Sequence, residues 1–156
     1  MMDRGALRQA GFGLLDLLVV LVVVALAATL AVPAYYGRVE RARVSKAAAD
    51  ISTISVQIDG FRVGNHASLP QTLAELEFDL PPDPWGRPYR YLNIVNSGGG
   101  AGDPRTHGKR TLLNTDFDLY SVGKDGRSTD SLSAPASRDD IVRANNGAFV
   151  GLGEDY

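Results

Sequence analysis

From Phe12 to Val32 the chain carries a polar side chain at only two positions, Asp16 and Thr29. No other feature restricts its fate so tightly. At about 1.5 Å of rise per residue this stretch makes a helix of roughly 31 Å, enough to cross the hydrocarbon core of a bilayer. An ionised carboxylate inside such a helix costs roughly 2.5–3.5 kcal/mol on insertion scales, so Asp16 demands a partner. The preceding Met1–Gly11 offers Arg4 and Arg8. A cut between Gly11 and Phe12 offers something closer, because the new α-amino group then lies about one helical turn from Asp16. Only a cut at that bond gives the acid an equally buried base.

An ordinary secretory signal would use Leu14–Ala27 as its apolar region and Thr29-Leu30-Ala31 as its cut site. Asp16 argues against it, since it would interrupt the apolar region to no purpose, and helical patterning continues beyond Pro33. Pro33 lacks an amide proton and crowds the preceding turn, so a kink or local loosening is expected there. Tyr35 and Tyr36 suit an interfacial aromatic belt or packing on a head domain.

Beyond them Val44, Ala47, Ala48, Ile51, Ile54, Ile58 and Phe61 recur at intervals of three and four. That spacing predicts one apolar stripe of an amphipathic helix, ending near Gly64-Asn65. Leu73 and Leu76 are spaced for a short helix lying on it. Pro81-Pro82-Asp83-Pro84-Trp85-Gly86-Arg87-Pro88 excludes a long helix or central strand and reads as a rigid turn. Tyr89–Ile94 and Asp116–Val122 alternate as strands do. Asn96–Arg110 reads as a mobile loop, and Glu154-Asp155-Tyr156 as a fraying end. Gly108-Lys109 is not a phosphate-binding loop, because Arg110 follows where Ser or Thr is required. His66 and His107 fall in different loops, outside any recognisable triad or metal motif.

Asp125, Asp130, Asp139 and Asp140 crowd one region, and neighbouring carboxylates need a counter-charge. Calcium suits such a set, since it takes six to eight oxygens at about 2.3–2.6 Å from irregular loops. The alternative is a solvated acidic loop with Arg127, Arg138 and Arg143 as partners. The chain has no cysteine, which removes disulfides and thiolate metal sites. Its net charge of −2 becomes −3 once Met1–Gly11, with Arg4, Arg8 and Asp3, is removed. Nucleic acid is not an expected partner.

The basic leader ending in Gly11, then Phe12, an acid at Asp16, an apolar helix and Pro33 resemble the type IV pilin-like family. Leu69–Tyr91, with Asp83-Pro84-Trp85-Gly86 at its centre, resembles the head of the major pseudopilins of type II secretion. The chain departs from the pattern with Asp at position 16 instead of Glu, and with Gly13 where Thr or Ser is common. The resemblance implies an α+β fold, in which a long N-terminal helix, membrane-spanning in its first half, packs on a small antiparallel sheet with a loop-rich C-terminal region. It implies a leader over 1–11, a transmembrane and filament-core helix over 12–33, and a periplasmic head over 34–156. The head would comprise a continuing helix over 34–63, strands within 89–122 and an acidic loop over 123–141.

By the same resemblance, a prepilin peptidase cuts between Gly11 and Phe12, and Phe12 becomes N-methylated. The subunit waits as a single-span protein of the bacterial inner membrane. Asp16 then neutralises a neighbouring N-terminus as the subunit enters a helical filament, and Pro33 accompanies partial melting of the helix. The expected function is structural, not enzymatic. Expected partners are further copies of the chain, the inner-membrane assembly platform and minor pseudopilins. Asp125, Asp139 and Asp140 are the implied calcium ligands. The charge count alone would orient the helix the other way, because Arg38, Arg41, Arg43 and Lys46 outnumber Arg4 and Arg8. The cytoplasmic leader is therefore an implication of the family. Rival readings are a minor pilin of a type IV pilus or DNA-uptake machine, and a secreted or membrane-anchored binding or hydrolytic domain.

Overall fold

The computed structural model describes residues 13–95, 102–108 and 111–156. The expected cleavage residues Gly11 and Phe12, and the Lys109-Arg110 pair, lie outside the described residues. The chain divides into two compact units, Met1–Val39 and Glu40–Tyr156. One helix, α1, runs over Leu14–Gly64 and contributes to both.

In the first unit the apolar residues of α1 are exposed, Leu14 at 84% and Leu30 at 78%. Water does not tolerate so continuous an apolar surface, and lipid or other helices must cover it. Among the described residues α1 is long and apolar enough to cross a membrane. Thr29 satisfies its hydroxyl on its own helix, donating to the Leu26 carbonyl at 2.7 Å. Helical structure continues through Pro33. Having no amide proton, Pro33 leaves the Thr29 carbonyl without its usual donor.

In the second unit the predicted stripe is the buried face of α1: Ala47, Ile51, Ile54 and Ile58 are fully buried, with Val44 and Ala48 packed beside them. The helix stops at Gly64 as the sequence suggests, though the left-handed residues that turn the chain are His66 (φ 53°) and Ala67 (φ 65°). The Ala67 amide closes the end on the Arg62 carbonyl at 2.9 Å. Leu73–Leu76 is a short 3-10 helix, its entry held by Glu75, whose carboxylate accepts the amides of Thr72 and Gln71.

The main sheet is antiparallel and four-stranded, built from β1 (Arg90–Asn93), β4 (Phe117–Ser121), β5 (Ile141–Ala144) and β6 (Phe149–Leu152) in that spatial order. A small hairpin of β2 (Thr106–His107) and β3 (Thr111–Leu112) stands apart from it. On one face Phe117, Leu119 and Ile141 meet the isoleucines of α1. On the other face Val142 and Ala144 cluster with Leu113 and Leu132. Both faces of β4 are therefore covered, which explains why Asp118 is as buried as its apolar neighbours.

Two readings of the sequence need correction. Asn96–Arg110 is not simply a loose loop: Arg105 within it is 3% exposed, and β2 follows directly. The end of the chain does not fray either. The amides of Gly153 and Glu154 donate to the carbonyls of Asp140 and Arg138, and the Tyr156 ring packs on Phe149 and His107, with centroids 5.2 and 5.4 Å away.

Candidate functional site

Two regions carry the residues singled out above. The first is the start of α1. Asp16 lies in its first turn, and its Oδ2 accepts the Gly13 amide at 3.0 Å. A carboxylate three residues into a helix can reach back this way because the first amides have no partner within the helix. Its charge is turned toward the N-terminal end of the helix, where the macrodipole also favours an anion. A β-carbon on Gly13 would stand 3.5 Å from Asp16 Oδ2, an ordinary contact, so the absence of Thr or Ser there is not forced by space.

The second region is the head's polar framework, in which Asp83 fixes the proline-rich turn. Its Oδ1 accepts the amides of Trp85 (3.0 Å) and Arg87 (2.8 Å), and its Oδ2 accepts the Ser121 hydroxyl on β4. Trp85 in turn donates its indole N–H to Glu40 on α1 at 3.2 Å, and Arg87 donates to the Gly123 carbonyl at 2.7 Å. Tyr89 gives its hydroxyl to Asp50, which also pairs with Lys46. Burial, and then the bond to Asp50, push the Tyr89 phenol far above its ordinary range, so it stays a donor at any working pH.

The three acids proposed as calcium ligands have different surroundings. Asp125 is exposed, and its Oδ1 accepts the Arg127 amide at 2.7 Å. Asp139 is half-buried and caps the Gly123–Gly126 turn, its Oδ2 accepting the Asp125 amide at 2.8 Å. Asp140 is fully buried, and its Oδ2 takes the Arg105 guanidinium at 2.6 Å and the Ser128 hydroxyl at 2.6 Å. Burial raises the Asp140 carboxyl above its ordinary range, outweighing the Ser128 hydrogen bond and the Arg105 charge, which pull it down. Among the described residues no three acidic or histidine side chains gather as a metal would require. As arranged, the set does not fit calcium, since its one buried carboxylate is already paired with a permanent cation.

Arg143, named in the sequence as a partner for these acids, instead forks onto Asp116. The residue that does reach the loop, Arg105, had no local signal, because it follows a Gly-rich run and lies 35 positions before its carboxylate. His66 lies in the turn that ends α1 and His107 on β2, and among the described residues neither joins a group that could hold a metal.

A long apolar N-terminal helix that continues into a small antiparallel head, with an acid in its first turn, defines a pilin-like protein. Comparison with known proteins narrows the class. The chain is 33% identical over 141 residues to type II secretion system core protein G of Pseudomonas aeruginosa PAO1, covering 77% of this chain and 87% of that one. It is 31% identical over 158 residues to the Pectobacterium carotovorum protein of the same name, covering 88% and 86% of the two chains. The Escherichia coli K12 protein of that name is 30% identical over 143 residues, covering 79% and 87%. No family model and no solved structure matches the chain. The chain belongs to the type II secretion system core protein G family, the major pseudopilins.

Proposed function

We propose that the chain is made as a single-span precursor of the bacterial inner membrane, with its head in the periplasm. A prepilin peptidase cuts it between Gly11 and Phe12, and the new Phe12 amine is methylated. The mature subunit then joins a helical filament through contact with an assembly platform and minor pseudopilins, as part of a type II secretion apparatus. Phe12–Val32 serves first as anchor and then as filament core, with Pro33 as the point where the helix loosens. The chain acts as a structural subunit and carries out no chemistry of its own.

One observation supports the processing step above all. The Asp16 carboxylate already turns back to the Gly13 amide, 3.0 Å away, one residue short of the amine that cleavage would free. A charge-assisted bond to that ammonium, its own or a neighbour's, would be about twice as strong as the amide bond it supplements. It would also remove the cost of an unpaired acid in an apolar helix. Membership in the core protein G family supports the filament and the secretion apparatus as its destination.

The intact mass of the mature protein, taken from membranes of its host, tests this reading. A chain beginning at Phe12 and heavier by one methyl group is the expected result. A chain beginning near Val32 would make it a secreted protein and remove Asp16 from any role in assembly.

A further inference from the structure

The crowded acids of the head require a positive partner, and the structure contains one. Arg105 enters the region just before β2, on backbone that is held on both sides: its carbonyl accepts the Leu113 amide, and the Thr106 amide that follows donates to the Asp130 carbonyl. Its own amide donates to Asp118 Oδ2 at 2.7 Å. The guanidinium lies 4.0 Å over the ring of Tyr120 and donates to Ser128 Oγ at 2.8 Å and to Asp140 Oδ2 at 2.6 Å. We propose that the Arg105 guanidinium is the resident cation of the acidic loop, so that the head closes without a divalent ion.

Three observations lead to this assignment. The first is connectivity. Arg105 ties together β4, through Asp118 and Tyr120, the middle of the loop, through Ser128, and the residue just before β5, Asp140. Joining distant segments through oxygens is the work a calcium ion does in an irregular loop.

The second is occupancy. Asp140 Oδ2 holds two donors, while Asp125 and Asp139 each hold a backbone amide of the Gly123–Gly126 turn or its exit. Asp140 Oδ1 is buried without a partner among the described residues, so the one buried carboxylate offers a cation a single unengaged oxygen of the six to eight that calcium takes.

The third is charge. Arg105 cannot lose its proton, so a dication drawing on Asp140 would stand beside a fixed positive charge that is 4% exposed. The Coulomb gain from Asp140 would be met by repulsion at short range in a poorly screened site.

Calorimetric melting of the full chain in detergent micelles, in millimolar calcium and in chelator, separates the two kinds of cation. The wild type is expected to melt at the same temperature in both. Arg105→Met should melt several degrees lower, because it strands a buried carboxylate, and Asp140→Leu added to it should recover much of the loss. A wild-type melt raised by calcium, with the rise abolished in Asp139→Ala, would overturn the assignment. So would Arg105→Met melting like the wild type. Should Arg105→Met fail to fold, the wild-type comparison decides alone. None of these readouts depends on whether the helices assemble, so failure here and failure of the filament reading are distinguishable.

Discussion

Arg143 grips Asp116 through both guanidinium nitrogens, at 2.8 and 2.7 Å, while its own carbon lies 3.9 Å over the ring of Phe117. The pair seals the end of the sheet where β4 begins. Burial alone would raise the Asp116 carboxyl, but the Arg143 hydrogen bonds and charge and the Phe117 amide outweigh it, so it titrates below its ordinary range.

A carboxyl lowered in the folded state contributes stability above its unfolded value, near pH 4, and loses it as pH falls through the folded value. Asp116→Asn should therefore destabilise the head by roughly 3 kcal/mol at neutral pH, with the gap from wild type closing in stronger acid. Asp118 and Asp140 act in the opposite sense, since burial raises both. Their contribution is full below the ordinary carboxyl range and lost as pH rises through their folded values. The difference between the two denaturation curves, not the wild-type curve, isolates Asp116. A gap that stays constant from neutral pH to pH well below 4 would contradict this assignment.

Gly123 and Gly126 both have positive φ, at 61° and 72°, yet they should respond differently to alanine. At Gly123 the new β-carbon would lie 2.1 Å from the Asp139 carbonyl oxygen, which is backbone and fixed. At Gly126 it would meet the tip of Arg87 at 2.6 Å, which can swing aside. Left-handed strain alone costs about 1–2 kcal/mol at each site. Gly123→Ala should cost clearly more than Gly126→Ala in urea unfolding, and equal losses would show the Gly123 turn to be free to move.

Ile54 is fully buried between α1 and the sheet, whereas Val56 on the opposite side of the helix is 67% exposed. Ile54→Ala should cost about 2–5 kcal/mol through lost burial and a residual cavity. Val56→Ala should change stability by no more than about 0.5 kcal/mol. Matched losses would mean that the head is not organised around this helix face.

For Asp16 the variants divide insertion from assembly. Asp16→Ala should leave the protein in the membrane, since it only makes the helix more apolar. Sheared filaments, counted by immunoblot, should fall at least about tenfold, the equivalent of losing about 1.4 kcal/mol per subunit. Asp16→Glu, which keeps the charge on a longer arm, should retain them. Filaments of normal abundance from Asp16→Ala would end the charge-pair account.

The parts of this structure readable in the sequence are those with a local period. The apolar run, the stripe from Val44 to Phe61, the proline-rich turn and strands β1 and β4 all announce themselves within a few residues. β5 and β6 did not, because β5 places Arg143 between buried apolar neighbours and β6 is interrupted by Gly151. The polar framework was harder still. Arg105 and Asp140 are 35 positions apart, and Asp83 and Ser121 are 38 apart, so no spacing rule links them. In the acidic loop the need for a positive charge was legible, and the identity of its donor was not. Buried ion pairs are chosen by the fold, once strands have brought remote segments together.

The chain contains a single tryptophan, Trp85, and its indole N–H is bound to Glu40 of the helix. Its fluorescence therefore comes from one place, the point where the proline-rich turn touches α1. A red shift on denaturation would report exposure of that indole, with no other indole to dilute the signal. The protein thus carries an intrinsic spectroscopic probe at a junction between its helix and the rest of its head, and the attachment can be followed in time without a label.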